Sequence, residues 1–429
     1  MNILNRVSNL LKKTIRTIIL IKNKIIIIKF QNPKKKNILI IDHYNEHGIN
    51  ECLLEGLDYG VLDTRLDGYI VSQHRASVRI FIGFEILYYL FYYFFIKKTN
   101  SLYNSYIFSY IRVVNPNVVI DQTKYGFLLE AAMLLPQINF FILMDALLEN
   151  ISKKEGIFAM KYFSYDLLNF LNKDPSKVHK NIYINLHGLR DKDMLLDIGI
   201  NINQFNLMIT GSYKANYVKK KVDVNYKTKF DITYISQTES SYLVGLINRD
   251  KYFYEVSNAV HGKILENLAI YIKRKNLSCL IQLRDQFTSE IETDFIKSFF
   301  KEGQNITFRK REHYLTSYYS ILDSKLSISS HSNLSHEAMI LERKSLLSPL
   351  EFSSHYRYTP KKFKSAKSMW DWTITKSDYQ IFEEKCDLLL NMDKQDYLKN
   401  TKEKSNYIIN YGINDNNKLV LKEKILSLI

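Results

Sequence analysis

A chain of 429 residues is too long for one ordinary core and suits two domains of roughly 150–200 residues. With 46% hydrophobic residues it is globular and not disordered. The net charge of +16 gives a field that attracts phosphates, polyanions or an acidic membrane face, although A/T-rich codon usage also produces this wealth of Lys, Asn, Ile, Tyr and Phe.

Residues 1–36 form a basic N-terminal extension ending in Lys34-Lys35-Lys36. Lys22, Lys24 and Lys29 interrupt its Ile run, which makes it a poor secretory signal and a poor membrane span. The texture then changes. Asn37–Asp42 is a short apolar run closed by a carboxylate, as expected of a strand buried on both faces. A helix around Cys52–Leu57 and a strand over Tyr59–Asp63 follow. Ile80–Ile96 is almost wholly apolar and aromatic, with Glu85 inside it and Arg79, Lys97 and Lys98 at its ends. A buried domain helix is the first expectation for it and an interfacial membrane helix the second.

The strand–helix alternation continues through Asn117–Asp121, Phe127–Leu134, Ile138–Asp145, Asn181–Leu186 and Leu207–Thr210. Residues 216–228, within a basic stretch that starts at 212, read as a linker. A second series then runs through strands at Phe230–Ile235, Leu277–Leu283, Leu326–Ser329 and Ser345–Leu347. Helices are expected at Lys263–Lys275, Ser289–Phe300, His313–Ile321 and Ser335–Leu341, and a helical, charged tail from about residue 381. Such alternation predicts parallel, doubly wound sheets, whose ligands bind at the carboxyl ends of the strands.

Candidate chemistry lies at those ends. In Leu326–Leu347 a strand enters a Ser-rich turn that opens a helix. The hydroxyls of Ser330, Ser332 and Ser335 sit where free backbone N–H groups can meet phosphate, and the alternative is plain N-capping. Glu337 falls in the expected first turn of that helix. His187-Gly188 ends another strand, and its neutral imidazole suits proton removal from a hydroxyl; a loop-filling histidine is the alternative. His261-Gly262 repeats the dipeptide as the lead-in to a long helix. His43, Glu46 and His47 cluster after the first strand as acceptor-side residues, without the HExxH spacing of a metal site. Arg284 ends a strand where it can neutralise a diphosphate or form a surface ion pair, and Gln237 is placed similarly. Asp191-Lys192-Asp193 lacks a preceding apolar strand and reads as a polar helix start, not a metal-binding DxD. Asp371 between Trp370 and Trp372 suggests a hydrophobic anchor or a sugar platform. Cys52, Cys279 and Cys386 have neither CxxC nor zinc spacing and fit a reducing cytoplasm. No GxGxxG, GxxxxGK[ST] or GxSxG occurs, which disfavours dehydrogenase, P-loop and α/β-hydrolase readings. Nucleic-acid binding would rest on charge alone.

The S-x-S-x-x-x-x-E-A pattern from Ser330 to Ala338, followed by a basic turn and a strand, resembles the donor site of two-domain (GT-B) glycosyltransferases. Thr233–Gln237, the tail around Asn391–Tyr397 and Tyr407–Tyr411, and Ile38–Asp42 are similar to bacterial surface carbohydrate biosynthesis proteins of that fold. The resemblance implies two Rossmann-like α/β domains across a cleft: an acceptor domain at 37–215, a nucleotide-sugar domain at 229–380 and C-terminal helices at 381–429. It also implies that Ser330, Ser332 and Asn333 face the diphosphate and Glu337 the ribose. The basic turn Glu342-Arg343-Lys344 departs from the glycine usual in such proteins. Related CDP-glycerol phosphotransferases carry a similar His-Gly, which points to His187 as base.

The expected function is inverting transfer of a sugar from a nucleotide-sugar to a surface glycan or lipid-linked acceptor. No cofactor is required, Arg284 stabilises the leaving diphosphate without metal, and nucleic acid is not a partner. The expected location is the cytoplasm, with association at the inner membrane face. The alternatives are a polyol-phosphate transferase or nucleotide-sugar epimerase of the same fold, and a non-catalytic, membrane-peripheral assembly protein.

Overall fold

A computed structural model describes residues 25–29, 32–42, 46–63, 77–97, 102–121, 127–144, 167, 170–171, 177–197, 199–222, 226–238, 251–284, 289–330, 332–350, 361–364, 370–410 and 417–429. In chain order the N-terminal half comprises β1 (Ile25–Lys29), β2 (Ile38–Asp42), α1 (Glu46–Leu53), β3 (Tyr59–Asp63), β4 (Ser77–Phe81), α2 (Phe84–Phe91) running into a π-helical turn (Tyr92–Ile96), α3 (Leu102–Val114), β5 (Val118–Asp121), α4 (Phe127–Leu134), β6 (Asn139–Leu143), β7 (His179–Leu186), α5 (Leu189–Asp197), β8 (Phe205–Ile209) and α6 (Tyr213–Lys221). The C-terminal half comprises β9 (Phe230–Ile235), α7 (Lys251–Lys275), β10 (Cys279–Gln282), α8 (Ser289–Lys297), β11 (Ile306–Arg309), α9 (Thr316–Leu322), β12 (Ser324–Ser329), α10 (Asn333–Glu337), β13 (Lys344–Leu347), α11 (Tyr379–Asn391), α12 (Lys394–Ile408) and α13 (Asn417–Leu426).

Two parallel sheets carry the fold. The first has the order β3-β2-β5-β6-β7-β8 and the second β11-β10-β9-β12-β13, while β1 and β4 pair separately. Strand residues alternate between two cores, as period-2 geometry demands. Ile38, Ile40, Phe141 and Tyr183 face a core shared with the second sheet, whereas Leu39, Ile41, Phe140 and Ile184 face a core against α2, α3 and α4. Phe141 and Tyr183 stack flat with ring centres 4.5 Å apart.

The tail returns across the junction. Asn410 donates its backbone N–H to the His187 carbonyl at 2.7 Å and its side-chain amide to the Ile209 carbonyl at 2.8 Å. Gly188 lies under the end of α12, where an added Cβ would overlap the carbonyl oxygens of Tyr407 and Ile408. Gly211, at φ +73°, lies equally close to the Asn410 carbonyl. From the other side, Glu51 of α1 accepts hydrogen bonds from Tyr217 of α6 at 3.0 Å and from Tyr314, just before α9, at 2.5 Å. Burial works to raise the Glu51 carboxyl, but the two phenol bonds outweigh it and hold the group below its ordinary value.

Several expectations need correction. The Ile80–Ile96 stretch is not a buried helix: it contains the end of β4, then α2 and a π turn, with one apolar side packed and the other exposed. The 216–228 linker is partly helix, because α6 runs to Lys221. Ser212 caps α6 by accepting from the Ala215 N–H at 3.2 Å, and Lys219–Lys221 occupy its last turn, where cations favour the helix dipole. His261-Gly262 lies inside α7 and does not precede it. The Trp370–Trp372 segment is no sugar platform: both indoles are buried, and the Leu347 N–H donates to the Trp372 carbonyl at 2.9 Å beside β13.

Gly211 and Gly199 make a matched pair for experiment, because both hold a positive φ but only Gly211 has backbone against it. Gly199→Ala is expected to cost about 1–2 kcal/mol of unfolding free energy from backbone strain alone. Gly211→Ala is expected to cost at least about 2 kcal/mol more, since the methyl must displace residue 410. Urea unfolding of both variants checks this, and equal losses would disprove the close-approach argument.

Candidate functional site

In a doubly wound sheet the ligand crevice opens where strand order reverses. In the second sheet that point lies between β9 and β12, the first strand of the series and its fourth. Their register pairs Ile235 with Ser329, so the segments that follow, Ser236-Gln237 and Ser330, emerge side by side. Four of the expected site residues therefore come from three stretches to one edge: Gln237, Arg284, and Ser330 with Ser332.

The lining is held by carboxylates. Glu292 in the first turn of α8 accepts from the Ser236 hydroxyl at 2.5 Å and from the Arg284 N–H, with both oxygens at 3.1 Å. Arg284 is exposed and donates from Nη1 to the Gln237 carbonyl at 3.1 Å, which leaves the flat guanidinium across the β9 and β10 ends.

The serine turn is tightly stitched. Ser329 and Ser335 hydroxyls meet at 2.7 Å, the Ser332 N–H donates to the Ser329 hydroxyl at 3.2 Å, and Ser345 donates to the Ser335 carbonyl at 2.5 Å. Ser332 is the N-cap of α10, accepting from the Leu334 N–H at 3.3 Å, so the capping role is real. Ser330 is buried and Asn333 half-buried.

Two details of the donor pattern differ from expectation. The helix opens at Asn333, so Glu337 is its last residue and lies beyond the first turn. There it is 4% exposed and accepts from the Tyr318 hydroxyl at 3.1 Å. Burial, and then the adjacent Glu337 carboxylate, hold the Tyr318 phenol well above its ordinary value, so it remains a donor. Tyr318 is also in hydrogen-bond contact with Ser212, which links the donor-side glutamate to the end of the first sheet. The second detail is the turn expected to hold a glycine: Glu342 stands in it at φ +54°, in the left-handed region that glycine favours. Lys219 at 3.3 Å and Lys394 at 2.8 Å tether its carboxylate.

In the first sheet, His187 follows β7 and is 2% exposed beneath the Asn410 crossing. Gly188 serves close backbone approach by α12. Asp191-Lys192-Asp193 begins α5 as expected: Asp191 pairs with Arg190 at 2.7 Å, both fully buried, and Asp193 binds Tyr407 and Lys362. His43 lies outside the described residues, and so do the side chains of Glu46 and His47 at the start of α1. Sequence reasoning missed Tyr318, Ser212 and Glu292. Glu292 carried the one available signal, an acid in the first turn of a helix that follows a strand end.

Two sheets of parallel strands with a returning helical tail define an α/β protein of the two-domain GT-B type. The profile of a family described as O-antigen biosynthesis proteins matches residues 200–425, and the chain belongs to that family. Among solved structures it is similar to Staphylococcus aureus MnaA in a co-structure with UDP, at 13% identity over 92% of this chain and 98% of that one, with a TM-score of 0.52. It is also similar to Methanocaldococcus jannaschii UDP-GlcNAc 2-epimerase in complex with UDP-GlcNAc and UDP, at 12% identity over 91% of this chain and 99% of that one, with a TM-score of 0.51. A search of curated proteins gives no match.

One histidine of the second domain has a clear pH consequence. His261 is fully buried, 2.5 Å from the Tyr234 hydroxyl through Nδ1, and burial pushes its pKa down to about 3. Unfolded chains protonate this group near pH 6.5 while the folded protein does not, so stability is full above that value and falls as pH drops toward 3. The expected loss is about 1.4 kcal/mol per pH unit, read by urea unfolding between pH 7 and 5. His261→Gln is expected to flatten that slope, and an unchanged slope would refute the assignment.

Proposed function

We propose that the chain is a surface-glycan enzyme that binds a nucleotide-sugar at the β9/β12 crevice and transfers its sugar to a glycan or lipid-linked acceptor. The observation that carries this reading is the convergence of Gln237, Arg284 and the serine turn at the strand-order reversal of the second sheet. Family membership supplies the pathway class, and the UDP bound by both structural neighbours supports a uridine diphosphate donor.

In this reading Arg284, with Ser330 and Asn333 of the serine turn, takes up charge on the departing diphosphate. Glu337, oriented by Tyr318, accepts from the ribose hydroxyls. The acceptor oxygen bonds to the anomeric carbon, the bond to the diphosphate breaks with its electron pair leaving on UDP, and the acceptor proton passes to a base. His187 is assigned that base. Its covered ring requires the 187–188 turn to open when acceptor binds, a motion centred on the Asn410 crossing.

Epimerisation is the second reading, favoured by the likeness to the M. jannaschii epimerase. It needs the same nucleotide site and no acceptor. Isomerised UDP-sugar formed without acceptor would establish it, whereas UDP release only with acceptor establishes transfer.

The first test is melting temperature against UDP, CDP, GDP and CMP. A nucleotide at a hundredfold excess over its Kd is expected to stabilise the fold by about 2.7 kcal/mol. Arg284→Ala, at an exposed position, is expected to weaken UDP at least about tenfold without lowering the melting temperature of the free protein. Absence of a shift with every nucleotide, in folded protein, would overturn the assignment.

A further inference from the structure

The described surface carries one apolar stripe that the proposed chemistry leaves unused. Phe84, Leu87, Tyr88 and Phe91 recur at the spacing that puts side chains on one helix face, and they are 83%, 50%, 60% and 57% exposed. Ile96, at the end of the π turn, is 59% exposed. The opposite side is packed: Ile86 and Tyr93 are buried, Tyr93 meets Phe108 of α3 edge to face, and Arg112 lies over the Tyr89 ring. The helix is thus apolar on both sides, and only one side is needed by the core.

A continuous exposed face of large aromatic and aliphatic side chains marks an interaction surface. Its chemistry selects the partner. Phenylalanine and leucine suit the acyl boundary of a bilayer, and the Tyr88 phenol suits the headgroup level. Lys97 follows directly, exposed, with its ammonium 5.7 Å above the Tyr92 ring, and Arg79 and Lys98 add positive charge at the two ends in sequence. Glu85 lies on the flank of the face and not within it. Net charge decides between a bilayer and a second copy of the chain. Two copies, each of net charge +16, repel through their overall fields, whereas anionic lipid is attracted. Among the described residues no helix is long and apolar enough to cross a membrane, so the contact is with the surface.

We propose that the exposed face of α2 and its π turn docks this protein on an anionic lipid bilayer. The test is co-flotation of the full chain with phosphatidylcholine vesicles, with and without phosphatidylglycerol. Binding is expected to the anionic vesicles and to weaken with salt. Leu87→Ser with Phe91→Ser, both exposed positions, is expected to reduce vesicle partitioning at least about tenfold with the melting temperature held. Undiminished flotation of the double variant, or no flotation of the parent, would overturn the proposal. Light scattering covers the competing occupant: a parent dimer that becomes monomeric in the variant would assign the face to a second copy and refute lipid docking.

Discussion

Everything in this architecture depends on a contact between bare backbones. Gly188 and Gly211 stand at the ends of β7 and β8, and the chain at 407–410 lies directly on them. No side chain intervenes, and the Asn410 N–H and amide complete the hydrogen bonding of the His187 and Ile209 carbonyls. This crossing fastens the tail of the second half to the first sheet. Glu51 with Tyr217 and Tyr314 braces the same junction. Between these anchors the core passes without interruption from Ile38 and Phe141 to Tyr213, Ile232 and Leu346.

The candidate site repeats one device. A buried or half-buried carboxylate is bound to a donor from another segment, and that bond positions a group at the crevice. Glu292 fixes Ser236 and Arg284, and Glu337 is fixed by Tyr318, which itself touches Ser212. Such pairs confer placement more than stability, because desolvation of each charge offsets most of its hydrogen-bond gain. The serine turn works alike: its hydroxyls and the N–H groups of Ser332, Leu334 and Ser335 bond to one another and to backbone, which fixes the shape of the turn at the crevice.

Most of the scaffold was legible from the residues. Doubly buried parallel strands are continuous apolar runs, and Ile38–Asp42, Val118–Asp121, Phe230–Ile235 and Cys279–Gln282 stand out as such. Edge strand β11 did not, because its half-exposed Ile306–Arg309 carries polar residues among few apolar ones. β1 and β4 hid for other reasons: β1 is embedded in a lysine-broken run, and β4 merges with the aromatic stretch of α2. Helix α6 passed for linker because its three lysines look like a solvated hinge until the Ser212 cap is recognised. At the site, strand ends were predictable while partners were not. Tyr318 lies 19 residues in sequence from the Glu337 it holds, and Glu292 lies 8 from Arg284 and 56 from Ser236, and only topology brings them back.

The crossing also sets an order of assembly. Residues 187 and 410 are 223 positions apart in sequence, and α13 places Lys424 over the Tyr183 ring of the first sheet. A ribosome has therefore finished nearly the whole second half before the side of the first sheet that carries Tyr183 receives the tail helices. Until then Tyr183 and its neighbours present an apolar face to the crowded interior of the cell. Synthesis of this protein should accordingly lean on chaperones through the second half of translation, with release coupled to the arrival of residues 394–426.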